Sequence, residues 1–220
     1  MRLLLVRHAQ TPSNVAGLLD TAVPGPGLTG LGLRQAAAIP GALREAGVDT
    51  IAVSHLHRTA LTAAPLAKER GITPVPFDGL QEIEAGDLEM RGDKDSVHAY
   101  LSTAFAWARG ELDERMPGSG VDGGTFFERY DAAVDRAARQ AAASLVVVSH
   151  GAAIRVWASA RVQGLGSELM HHTPLHNTAV IEAEGDPDAG WRLVRWSPEP
   201  AGGAALRMPV EADPTGEPAE

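Results

Sequence analysis

No cysteine occurs among the 220 residues. Its absence excludes disulfides, thiolate metal centres and a cysteine nucleophile together, and it suits a cytoplasmic protein. No apolar run approaches the roughly 18 residues of a membrane span. The first residues enter a strand pattern at once, so no secretory leader is expected. Basic blocks are missing too. With a formal net charge of −9 and no Lys/Arg stripe, nucleic acid is not an expected partner. Internal repeats are absent. An acidic chain of this kind binds an anion only through a local cationic pocket.

Apolar strands ending in polar, chemically active residues are what the chain does contain. Leu3–Val6 is an apolar run that stops at Arg7-His8, followed by Thr11-Pro12 and Asn14. Leu145–Val148 ends in Ser149-His150-Gly151. Uninterrupted apolar strands are the mark of burial on both faces. Strands alternate with helical stretches: a helix over Leu28–Ala46 broken near Pro40-Gly41, a strand over Thr50–Ser54, and a helix from Arg58 to Arg70. A short strand over Ile72–Val75 follows, then helices over Ser96–Arg109, Thr125–Ala143 and Gly151–Arg161. Two closing strands, Thr178–Glu182 and Trp191–Trp196, flank the Asp186-Pro187 turn. The pattern predicts one α/β domain over residues 1–200: a three-layer α/β/α sandwich with a mostly parallel central sheet. From Gly202 onward Gly, Pro, Ala and acidic residues predict a mobile tail, 201–220.

In open α/β sheets, ligands sit at the carboxyl ends of the strands. Arg7, His8, Arg58 and His150 all stand at such ends or just past them. Gly151 opens a helix whose free N–H groups suit an anion. Two guanidinium forks, two imidazoles and a helix N-terminus fit a phosphoryl group. Cations around a buried histidine also lower its pKa and keep its ring neutral. Other readings compete at other positions. His55-x-His57 is helix-entry surface before it is a metal site, and His171-His172 and His176 are loop residues. The aromatic residues around the Gly-rich break Met116–Gly124 are core by default.

In these motifs the chain resembles the histidine phosphatase superfamily, the phosphoglycerate mutase-like branch I. The Arg-His-Gly/Ala signature reads Arg7-His8-Ala9, with Thr11 and Asn14 after it. Ser-x-Leu-x-Arg-Thr-x-x-Thr-Ala reads Ser54 to Ala63, and the acidic signature Leu-x-Glu-x-x-x-Gly-x-x-Glu reads Leu80 to Glu89. Val-Ser-His-Gly reads Val148 to Gly151, and Leu28-Thr29, Gly32 and Gln35-Ala36 also fit. Four signatures in family order span about residues 1–196. The resemblance implies a phosphomonoester hydrolase working through phosphohistidine on a small phosphorylated metabolite. His8 would be the nucleophile, and Arg7, Arg58 and His150 would hold the phosphate oxygens. Asn14 and Gly151 would join the substrate site. Glu82, placed by the Leu80–Gly86 register ahead of Glu84 and Glu89, would be the acid and base. No cofactor and no metal are implied. The partner is a small phosphate ester, with neither nucleic acid nor membrane, and a homodimer is left open.

The specificity elements depart from the family pattern. Mutases carry Tyr, Gly and Lys where this chain has Ala85, Met90 and Asp93, and no Arg pair stands between residues 95 and 125. Leu18–Thr21 replaces the Arg-x-Gln-Gly of many phosphatases, and Gly123-Gly124-Thr125 replaces Gly-Glu-Ser. The alternatives to a hydrolase are a mutase-type phosphoryl transfer and a non-catalytic binding member of the fold. A cap insertion at about 87–124 is expected to cover the pocket and set specificity.

Overall fold

A computed structural model describes residues 1–166, 169, 172–207 and 213–216. Its seven strands are β1 (Arg2–Arg7), β2 (Thr50–Val53), β3 (Val75–Pro76), β4 (Ser144–Ser149), β5 (Val162–Gln163), β6 (Val180–Asp186) and β7 (Gly190–Ser197). The helices are α1 (Pro12–Ala16), α2 (Gly30–Ala42), α3 (His57–Arg70), α4 (Lys94–Ala108), α5 (Gly123–Ala138) and α6 (Gly151–Arg161). The strands lie in the order β3-β2-β4-β1-β6-β7-β5. The pairings make β6 alone antiparallel to the rest, so the expected mostly parallel sheet is what forms.

Strand β1 sits at the centre with β4 beside it. Their side chains alternate between two apolar layers, as strands covered on both faces require. Leu4, Val6, Val146 and Val148 pack with Ile39, Leu43, Ala63 and Leu66 of the α2–α3 side. Leu3, Leu5, Leu145 and Val147 pack with Phe126, Tyr130, Ile154 and Trp157 on the α5–α6 side. Several helix bounds differ from the sequence reading because caps decide them. The Asp93 and Asp122 carboxylates accept from Ser96 N and Thr125 N, so α4 and α5 start two residues early. Helix α2 runs through Pro40 and ends at Ala42 instead of Ala46. The strand expected over Ile72–Val75 is confined to Val75–Pro76.

The register carries the functional consequence. Parallel strands β1 and β4 pair Arg7 with Ser149, and β2 and β4 pair Val53 with Val148. Three neighbouring strands therefore end within one residue of one another. Their next residues, His8, Ser54 and His150, emerge at one sheet edge although up to 142 positions separate them. No described helix is long and apolar enough to cross a membrane.

Candidate active site

His8 is buried, its backbone N–H bonded to the Ser149 carbonyl at 2.9 Å. Its Nδ1 lies 2.9 Å from the Ala9 carbonyl, which only accepts, so Nδ1 carries the proton and Nε2 keeps its lone pair. Burial first, then the Arg58 and Arg7 charges, holds its pKa well below the usual 6.5. The ring is neutral at physiological pH. Thr62 fixes the chain here by accepting from Ala9 N at 2.9 Å. The His150 ring stands 5.3 Å from that of His8, centroid to centroid.

His150 is the N-cap residue of α6. Arg58 Nε donates to its Nδ1 at 3.3 Å, which leaves Nε2–H to donate to Ser54 Oγ at 2.8 Å. Both nitrogens are thus engaged within the protein. The expected direct hold on a phosphate oxygen requires one of these bonds to be exchanged. Arg58 donates through Nη2 to the Asp20 carbonyl at 2.8 Å. Its Nη1 is buried and has no hydrogen-bond partner among the described residues. Buried donors are nearly always paired, so this one is available to a ligand oxygen.

Glu82 occupies a position that the strand-end pattern alone does not show. Its Oε1 accepts from Ile83 N (2.9 Å) and Ala153 N (2.8 Å), and Oε2 from Ala152 N (3.1 Å). The carboxylate caps the N-terminus of α6. The sequence reading directed those N–H groups, through Gly151, at a bound anion; here the catalytic-acid candidate uses two of them. Gly151 itself packs against the Thr215 carbonyl, with only 2.6 Å from that oxygen to where a Cβ would stand. Burial raises the Glu82 pKa above 4.5, against the lowering effect of the three N–H bonds and Arg58. Of the rival carboxylates, Glu89 accepts from Thr21 N and Ala22 N and secures the 20–22 loop, while Glu84 is exposed.

Arg7 is buried and faces an unanticipated neighbour, the segment Asp213–Gly216. Its Nη1 donates to the Leu175 carbonyl at 2.8 Å. Nη2 pairs with the Asp213 carboxylate and donates to Thr215 Oγ1 at 3.1 Å. Asn14 Nδ2 donates to the other Asp213 oxygen at 3.2 Å. Asn14 is held by Thr11 N, 2.9 Å from its Oδ1, in a reciprocal capping box that opens α1.

Three supporting residues carry no sequence signal that marks them in advance. Asn177 donates to the His8 carbonyl at 3.0 Å. Arg129 on α5 donates to the carbonyls of Gly79 (2.7 Å), Gln81 (3.0 Å) and Glu82 (2.9 Å), fastening the loop that presents Glu82. Arg155, buried in α6, reaches the Thr215 carbonyl at 3.4 Å. His55 pairs with Asp78 at 2.9 Å on the surface, His57 is exposed in the first turn of α3, and His171 lies outside the described residues. No three His, Asp or Glu side chains cluster as metal ligands among the described residues.

One crevice is lined by His8, Asn14, Arg58, Glu82 and Thr215 with Thr11, Ser13 and Asp20. A second, wider cavity of about 650 Å³ shares Thr21 and Glu82 with it and adds Asp78, Glu84, Glu89, Arg129 and Arg136. From the segment expected to form a cap, 87–124, only Glu89 reaches this cavity. Helix α4 packs with α6 instead, and its Tyr100 hydroxyl donates to the Ile83 carbonyl at 2.8 Å.

The sequence profile of the histidine phosphatase superfamily (branch 1) matches residues 3–198. The chain belongs to that superfamily. A Mycobacterium tuberculosis protein, PE-PGRS family protein PE_PGRS11, is 40% identical over 94% of this chain, which spans only 38% of that relative's length. The adenosylcobalamin/alpha-ribazole phosphatase of Salmonella typhimurium is 34% identical over 68% of this chain and 74% of its own. Among solved structures, mycobacterial glucosyl-3-phosphoglycerate phosphatase superposes with a TM-score of 0.72. It is 22% identical and covers 89% of this chain and 98% of its own, a likeness of fold.

Proposed function

We propose that the protein hydrolyses small phosphomonoesters through a phosphohistidine at His8. The observation that carries this reading is the shared crevice. A neutral imidazole with a free Nε2, a buried guanidinium whose Nη1 makes no hydrogen bond among the described residues and a carboxyl of raised pKa line it together. Phosphoryl transfer demands mainly positioning and charge stabilisation, and these groups supply both.

In the first step the Nε2 lone pair attacks phosphorus and the ester P–O bond breaks. Glu82 gives its proton to the departing oxygen, which leaves as an alcohol. The phosphorylated ring is cationic while Nδ1–H remains on the Ala9 carbonyl. In the second step water attacks phosphorus and gives a proton to the Glu82 carboxylate. The P–N bond breaks and its electron pair returns to Nε2. Arg58, Arg7 and Asn14 hold the phosphoryl oxygens throughout, and His150 orients Arg58. One carboxyl serves both steps because its pKa is moved toward the working range.

The leaving group is assigned to the wider cavity, since Glu82 lines both spaces. Asp78, Glu84 and Glu89 there outnumber Arg129 and Arg136, which favours a neutral or weakly charged leaving group over a second phosphate. The missing mutase Arg pair favours water as the acceptor. Every group invoked comes from one chain, so the reading needs no second copy. No metal or other cofactor is invoked, and the cysteine-free composition supports a cytoplasmic setting.

The test is hydrolysis of a chromogenic phosphate monoester in chelator, with rapid-quench trapping of labelled phosphoenzyme. Turnover with label on His8, both lost in His8→Ala, is expected. Label on another residue, or restoration by Mg²⁺ of an activity lost to chelator, would overturn the reading.

A further inference from the structure

Asp213 is 3% exposed and Arg7 1%. Both Asp213 carboxylate oxygens are engaged, one by Arg7 and one by Asn14. These are two of the three residues assigned above to phosphate oxygens. Thr215 adds a hydroxyl on Arg7 Nη2, and Gly216 accepts from Leu175 N at 2.8 Å through its carbonyl. Only a glycine fits at 216, where a Cβ would stand 1.7 Å from Arg7 Nη1. With the segment seated, the crevice beside His8 and Arg58 retains about 10 Å³. That is room for about one water and not for a phosphoryl group.

We infer that Asp213 is a displaceable internal ligand of the phosphate site, its carboxylate holding the place of two phosphate oxygens until substrate takes them over. The inference rests on the functional reading above. Tethering makes such a carboxylate effective, because a linked group binds at a high local concentration. Phosphate has the means to replace it. Arg58 Nη1 and Arg7 Nε are both buried and lack a hydrogen-bond partner among the described residues, Arg58 Nη1 standing 3.9 Å from Asp20 Oδ1, and Asp213 satisfies neither. A phosphoryl group brings a third terminal oxygen and a second negative charge to the same pocket. Exchange also keeps the buried Arg7 charge compensated, since one anion leaves as the other enters. The seated segment therefore acts as a competitor that weakens every phosphate ligand by the reciprocal of the fraction of time it is unseated.

The experiment compares the full chain with Asp213→Asn and Gly216→Ala. The first keeps the side-chain shape and removes the charge. The second drives the segment off Arg7 and leaves every donor in place. Inorganic phosphate is titrated by calorimetry, and KM is measured for the chromogenic ester. In both variants the phosphate dissociation constant and KM are expected to fall together, by about tenfold if the segment is seated roughly nine-tenths of the time. A folded Asp213→Asn whose phosphate affinity is unchanged or weaker overturns the inference and makes the carboxylate a brace for Arg7. Turnover that persists in that case leaves the hydrolase reading standing. Tightened phosphate binding without any turnover does the reverse.

Discussion

His8 and Glu82 are pushed in opposite directions by the same physical cause. Burial disfavours charge, so the imidazole stays neutral and the carboxyl holds its proton longer. On the proposed reading, nucleophile and acid are thereby both moved toward the protonation states that their roles require. Replacing Glu82 by Gln removes the proton donor and keeps the shape. Turnover of an ester with a poor leaving group should fall roughly a hundredfold or more. An ester with a good leaving group should lose much less, and equal losses in kcat for both would remove Glu82 from the acid role. The two histidines also make stability depend on pH. His8 and His150 both have native pKa values well below 6.5, so the unfolded chain binds more protons once the pH drops past 6.5. Stability is fully present above 6.5 and is lost as the pH falls toward the native values. The urea midpoint should therefore drop between pH 7.5 and 5.5. His150→Asn should flatten that drop, and an unaltered slope would mean that these rings are not buried neutral.

At the scale of elements, the site is assembled by helix ends and the loops that cap them. Helix α6 begins at His150, and its open N–H groups are satisfied by Glu82, so the acid and the second histidine are fixed by one helix start. Helix α2 does the same for the chain after His8. Thr29 caps it, and Gln35 Oε1 accepts from Gln10 N at 2.8 Å. Gly32 lies so close to this segment that a Cβ would sit 2.2 Å from the Gln10 carbonyl oxygen. Gly32→Ala should cost about 1–3 kcal/mol, the usual scale of overpacking. Thermal unfolding checks it, and a Tm within error of the parent would show that α2 moves away freely.

Across the whole molecule, the proposed reading assigns chemistry and specificity to different parts of the fold. The central strands β2, β4 and β1 bring the phosphate-side groups to one edge. The 21–23 and 78–89 loops and one face of α5 surround the wider cavity. We propose that this lining, more than residues 90–124, selects among esters. Glu84 is one of its exposed carboxylates, with Asp78. Glu84→Lys should raise kcat/KM for esters with an anionic leaving group relative to neutral ones by roughly fivefold, the order of an exposed charge pair. Paired kinetics on one neutral and one carboxylated ester provide the measurement. If the ratio holds constant while turnover persists, the cavity is not where the leaving group lies.

The sequence alone determined the architecture and offered Arg7, His8, Arg58, Glu82 and His150 as candidates for the site. Two unbroken apolar strands ending in Arg7-His8 and Ser149-His150-Gly151 require a covered, largely parallel sheet, because only strands buried on both faces lack polar alternation. Glu82 was pointed to by the resemblance of Leu80 to Glu89 to the family's acidic signature. Tertiary structure decided what each group is bonded to. That the α6 N-terminus receives Glu82 instead of an open anion site depends on how the 79–82 loop folds back, and Arg129, which fastens it, is one more cation on an amphipathic helix when read in sequence. Asn177 and Asp213 come to His8 and Arg7 from 169 and 206 residues away. No local pattern encodes such a pairing, because it follows from where the chain happens to return after the sheet has closed.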